Sequence, residues 1–212
     1  MKKTVYVGTL LLNTLTSDGI ASKDAIQEFE GAWNNPDFTH YEAIVADVNK
    51  LIALETDVNL NKHRLTGEQL WDAEKKKAWD PQTYIPHAVI KGESYDRSQP
   101  NEDEVTFKRR SEQRSWLDPN VIVPVLEEVH IFEKLRKAVF LGRAVDDADS
   151  IKGQPIFHVE HSVGGSEDNP LSLWRIIMLT PDAKYVQTVE SIMTQRLQSL
   201  PRFVAEYLKR DM

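Results

Sequence analysis

The stretch Tyr84–Trp116 reads YIPHAVIKGESYDRSQPNEDEVTFKRRSEQRSW, and the rest of the chain is organised around it. Two extended arms flank a polar tip. The first, Tyr84–Ile90, is β-like and is broken by Pro86, which suits an edge strand or a bulge. Glu93–Glu104 carries Asp96, Ser98, Pro100 and Asn101 without apolar periodicity, and reads as exposed and mobile. Val105–Trp116 returns as a second arm with a basic cluster. Side chains two apart on a strand share a face. Lys108, Arg110, Arg114 and Trp116 therefore point one way and Arg109 the other. Cations repeating every ~7 Å along a strand suit a nucleic-acid backbone, and a neighbouring aromatic ring can stack on a base. The alternative is a solvated edge strand that uses charge against aggregation.

Composition sets the limits around this arm. With 212 residues, five Trp and seven Phe, the chain can bury the core of a single domain, 1–212. It has no cysteine, which excludes a disulfide framework, thiolate catalysis and cysteine-ligated zinc, and fits a cytoplasmic setting. A net charge of −7 argues against general polyanion binding while leaving room for a local basic patch or for docking to basic subunits. The opening MKKTVYVGTLLLNTLT imitates a signal peptide, but polar residues interrupt its apolar run, and Thr4–Leu12 reads as a first strand. No stretch reaches the ~20 apolar residues of a membrane helix.

Outward from the arm, helical and extended patterns mix. Ser22–Phe29 is a short helix capped by Ser22. Thr39–Thr56 is the best helix by pattern: Thr39 and Glu42 form a capping box, and Tyr41, Ile44, Val45, Val48, Leu51 and Ile52 recur at helical spacing. Thr66 opens another helix with Gln69 at the reciprocal position, ending near Trp79, with Lys75, Lys76 and Lys77 on its solvated face. Pro124 suits a first helical turn, followed by Val125, Val129, Phe132 and Val139. Phe140–Val145 is a short strand. Ile156–Val163 and Leu171–Leu179 form an antiparallel pair joined by a glycine-rich turn. The end is helical from Thr180, with a shorter helix after Pro201. The absence of regular βαβ alternation points to an α+β fold.

Few residues are candidates for chemistry. His158 and Glu160 share a strand face and His161 faces away. With Asp146, Asp147 or Asp149 they could hold a metal, although no HExxH spacing is present. The competing reading is a half-buried strand with local hydrogen bonds. No serine sits in a nucleophile elbow, and Gly164-Gly165-Ser166 is too short for a phosphate loop. Trp33, Trp71, Trp79 and Trp174 read as core or interface anchors. No cofactor is expected.

Two segments, Val7–Ala25 (VGTLLLNTLTSDGIASKDA) and Tyr84–Gly92 (YIPHAVIKG), resemble the RAMP superfamily, the guide-RNA-binding subunits of CRISPR effector complexes. The resemblance implies a ferredoxin-like (RRM-like) antiparallel sheet with helices. A helical insertion would occupy about 37–80, and a long hairpin arm about 84–116 would project from the core. It makes Lys91 the phosphate-contacting lysine, and completes an RNA-facing set of Lys91, Lys108, Arg109, Arg110, Arg114 and Trp116. The sequence departs from the family at Asp18-Gly19, where a histidine is expected, and at His87-Ala88-Val89, where the family has small residues. The implied function is a non-catalytic, cytoplasmic subunit of an antiviral ribonucleoprotein, with guide-type RNA and other subunits as partners and no membrane. The alternatives are an assembly protein, from a phage or a larger complex, that docks protein partners, and a metal-dependent hydrolase using His158 and Glu160.

Overall fold

The hairpin at the centre of the sequence forms, but it does not project. In a computed structural model describing residues 18–57, 59–116, 118–145, 155–181 and 200–211, β2 (Val89–Asn101) pairs antiparallel with β3 (Glu104–Arg114). β3 continues into the sheet, pairing with β4 (Ile122–Phe132) from Glu104↔Phe132 to Arg114↔Ile122. β5 (Lys137–Arg143), β6 (Phe157–Gly165) and β7 (Pro170–Met178) follow as an antiparallel meander. β1 (Thr39–Asp47) pairs with β7, so the described residues form seven strands in the order β1-β7-β6-β5-β4-β3-β2. This overturns the ferredoxin-like expectation. The supposed arm supplies the last two strands, β3 and β2, in the described order of one large antiparallel sheet.

The helices are α1 (Asp18–Trp33), α2 (Val48–Ala53), α3 (Gly67–Trp79), α4 (Pro81–Tyr84) and α5 (residues 200–211). α3 starts as its sequence foretells. Thr66 accepts from the Gln69 amide, and the Gln69 side chain accepts from the Thr66 amide, at 3.1 and 2.9 Å.

Three local readings change. Thr39–Asp47 is strand, and its helix begins only where Asp47 caps the Lys50 amide at 2.9 Å. Pairing with β7 outweighs an apolar pattern that also fits helical spacing. Val123, Val125, Val129 and Ile131 alternate along β4 in place of a helix. Pro124 is tolerated because, among the described residues, β4 has a strand neighbour on one side only at that point, pairing with β5 beginning at Leu126. Glu93–Asn101 is exposed or half-buried, yet its backbone is held in β2. The segment lacks apolar periodicity because, among the described residues, β2 has a strand neighbour on one side only. The expected strand Thr4–Leu12, the loop Asp146–Asp149 and most of the helix expected after Thr180 lie outside the described residues.

Both faces of the sheet are covered. On one face, Phe107, Val129, Phe140, Val159 and Ile176 pack against Leu70 and Trp71 of α3 and Phe203, Val204 and Tyr207 of α5. The sheet thus wraps a helix. On the other face, Phe132, Val139, Leu141 and Ile177 receive Ala25, Phe29 and Ala32 of α1, so α1 is a helical cover on the outer side. Arg175 lies over the Phe29 and Trp33 rings at 4.8 and 5.1 Å, and pairs with Glu30 and Glu160. Arg143 pairs with Glu28 and Glu128. These hydrogen bonds hold the Glu28 and Glu30 carboxyls below their ordinary value. α1 begins at Asp18, so Ser22 lies inside it and does not cap it. Gly142 is a close-packing position, where a Cβ would collide with the Phe157 carbonyl.

Phe29 is 1 % exposed, so Phe29→Ala leaves a cavity between α1 and the sheet. The expected loss is about 3–5 kcal/mol in urea denaturation. A loss below ~1 kcal/mol would mean that α1 is not part of the cooperative core.

Candidate functional site

The residues singled out for RNA sit differently from one another. Lys91, Lys108, Arg110 and Arg114 are exposed on the outer side of the hairpin. Register places Lys91 opposite Glu112, Arg110 opposite Glu93 and Lys108 opposite Glu128. Lys108 also pairs with Asp96 at 3.1 Å, and Arg114 donates to the Pro119 carbonyl at 3.2 Å. The basic cluster is therefore half of a cross-strand charge ladder, its acids supplied by neighbouring strands. Trp116 is 3 % exposed and stacks on Phe157 at 4.3 Å, which leaves it no face for a base. Arg109 is also buried, on the inner face.

The two metal candidates have other partners, and the Asp146–Asp149 loop that was to complete their site lies outside the described residues. His158 and Glu160 do share a face, but it is the outer one, beneath α1. His158 Nδ1 accepts from the Gly142 amide at 3.1 Å, and its Nε2 lies 3.5 Å from Glu28. Glu160 is held by Arg175 and Lys137 at 2.7 and 2.8 Å. Among the described residues no group of three His, Asp or Glu side chains is placed to bind a metal.

The concave side holds charges that the sequence hid. Arg109 donates through Nε and Nη2 to one Glu127 oxygen at 2.9 and 2.6 Å, and through Nη1 to the Ala78 carbonyl at 3.0 Å. Its guanidinium lies 4.8 Å from the Phe140 ring centre. Ala78 is in the last turn of α3, where carbonyls lack helical partners and favour a cation. Arg109 thereby ties the end of α3 to β3 and β4. Beside it Lys77, expected in solvent, is 4 % exposed and pairs with Glu74. Lys77 Nζ and Glu74 Oε2 lie 3.0 and 3.1 Å from His161 Nδ1, which can serve only one of them at a time. Burial raises the Glu74 carboxyl, but Lys77 and His161 together outweigh it and lower it to about 2. Burial, reinforced by Lys77, lowers the His161 imidazole to about 4, so it is neutral at pH 7.

The tied end of α3 forms one wall of a cleft of about 420 Å³ beside β2–β4. Val105, Phe107 and Ile131 provide apolar lining, with Trp79 and Tyr84 as aromatic walls. Trp79 is 39 % exposed and meets Phe107 edge-on at 5.0 Å. Lys75, Lys76, Asp80, Arg97 and Glu133 supply the polar lining. Glu133 accepts from Lys75 at 3.1 Å and from the Trp71 indole at 2.9 Å. From the sequence Trp79 reads as a core or interface anchor and Lys75 and Lys76 as solvated. The one signal was an aromatic residue at a helix end, just before Asp80-Pro81.

Two outcomes are expected. Arg109→Met strands the buried Glu127 carboxylate and should cost about 3–5 kcal/mol, while adding Glu127→Leu should restore most of that loss; equal losses in urea denaturation would contradict the pairing. His161 also makes stability pH-dependent. Its folded value of about 4 lies below its ordinary 6.5, so on acidification the unfolded chain takes up the proton first. Its contribution is complete above pH 6.5 and is lost as the pH falls toward 4. Glu74 extends the loss from its ordinary 4.5 toward 2. Thermal melts of His161→Gln should fall less steeply than wild type between pH 6.5 and 4; parallel curves would contradict this.

No protein-family model and no curated protein sequence matches the chain. Several solved structures share its architecture. The Zhui aromatase/cyclase from Streptomyces sp. R1128 aligns with a TM-score of 0.51 at 11% identity, over 82% of this chain and 96% of that one. The 18 kDa protein CC1736 from Caulobacter crescentus gives 0.52 at 8% identity, over 81% and 95%. Ara h 8.0201 gives 0.51 at 8% identity, over 82% and 99%. These likenesses and the sheet order replace the ferredoxin-like fold that the effector-complex resemblance implied, and nothing in them supports its ribonucleoprotein and antiviral associations. At such identities the likeness is one of fold, and that fold is the helix grip, a long antiparallel meander wrapped around a helix.

Proposed function

We propose that this protein binds a small, largely apolar molecule in the cleft between α3, α4 and strands β2–β4. The observation that carries the proposal is the make-up of that cleft. Val105, Phe107, Ile131, Trp79 and Tyr84 line about 420 Å³, within the ~300–1,000 Å³ usual for small-molecule sites. A few charged groups stand among them, as such sites require for orientation. A partly exposed Trp79 at the mouth suits a flat guest, since its ring gains by covering. One of the structures with this fold is an aromatase/cyclase, which agrees with a ring-shaped guest. The absence of cysteine suits a cytoplasmic setting. Among the described residues no helix is long and apolar enough to cross a membrane.

The uncharged fluorophore N-phenyl-1-naphthylamine tests this. It should bind saturably, with an emission rise. Val105→Trp, which fills the cleft from β3, should weaken binding about tenfold or more, a change of ~1.4 kcal/mol, with the melting temperature little changed. No saturable binding to wild type, or equal binding by Val105→Trp, would count against the proposal.

A further inference from the structure

We infer that the guest of this cleft carries an anionic group and that Arg97 receives it; the inference rests on the cleft being the binding site. Arg97 lies beside a break in the β2–β3 ladder. Register shifts between Tyr95 and Ser98, and Asp96 adopts φ 53°, in the left-handed region. Such a bulge re-aims a side chain out of the regular alternation. The Arg97 guanidinium lies over the Trp79 ring, 5.5 Å from its centre.

The other polar groups of the cleft are spoken for. Lys75 pairs with Glu133 at 3.1 Å. Lys76 is held by Asp72 and Asp211, both at 2.7 Å. Asp80 caps the Thr83 amide at 3.1 Å, and the Tyr84 hydroxyl donates to Asp211 at 2.8 Å. Of the three cations lining the cleft, Arg97 alone has no carboxylate partner among the described residues. Stacking uses one face of a guanidinium and leaves its N–H edge available. That edge is a planar fork suited to a carboxylate, sulfonate or similar oxyanion. The apolar lining takes the body of the molecule, so the guest chemistry is that of a flat aromatic acid.

Two probes that share a ring skeleton separate the charge from the cleft. 1-Anilinonaphthalene-8-sulfonate carries the anion, and N-phenyl-1-naphthylamine lacks it. Only the signal lost in Val105→Trp counts as cleft binding. Arg97→Gln should weaken the sulfonate about fivefold, as expected for a partly exposed charge pair, and leave the neutral probe essentially unchanged. Arg97→Lys should fall between the two. Arg97 is exposed, so its variants should melt as wild type does. An unchanged sulfonate affinity in Arg97→Gln, with the neutral probe still bound, would overturn the inference and leave the cleft reading standing. Failure of both probes to bind wild type in the cleft would overturn the two together.

Discussion

Val139, Leu141 and Ile177 face one side of the central strands, and Phe140, Val159 and Ile176 face the other, so this sheet has no side it can leave in water. The rest of the structure follows from that constraint. A single antiparallel meander cannot cover itself, so helices must be brought to both faces. α3 and α5 fill the concave side, and α1 covers the outer side with Ala25, Phe29 and Ala32. The ion pairs of Arg143 and Arg175 sit at the border of that cover, partly exposed. They orient α1, and most of the stabilisation comes from apolar burial.

The concave core is less economical. It contains Arg109 with Glu127, and Lys77 with Glu74 and His161, all away from bulk water. Buried ion pairs add little net stability over apolar packing, but they are exacting about geometry. Here they have a positional consequence. Arg109 holds a carbonyl in the last turn of α3, and Trp79 is the next residue along. The wall of the cleft is therefore fixed by a charge network behind it. The cleft opens beside the longest strands, between that wall and β2–β4, and the bulge in β2 places Arg97 at its edge.

What was legible in the sequence was local. The Thr66/Gln69 capping box gave the start of α3, strand alternation gave β3, and a glycine-rich turn between β-branched runs marked the β6–β7 pair. What was not legible depends on distant partners. Tyr41, Val45 and Val48 fit a helix by spacing, and only β7 makes the first two strand residues. The basic run of β3 reads as a polyanion surface because Glu93 and Glu128, which stand across from Arg110 and Lys108, become neighbours only once the register is known. Trp116 passed for an exposed ring because its partner Phe157 lies on β6. The cleft gathers Trp79, Arg97, Phe107 and Ile131 from four elements, and no spacing rule joins them.

Backbone and indole resonances offer the most direct test of the claim that guests enter between α3 and β2–β4. In a titration of isotope-labelled protein with N-phenyl-1-naphthylamine, the largest shift changes should fall on the Trp79 indole and on the amides of Val105, Phe107 and Ile131, with α1 and the outer face unmoved. Changes centred on α1, on the outer side of the hairpin, or spread evenly over the sheet would contradict it.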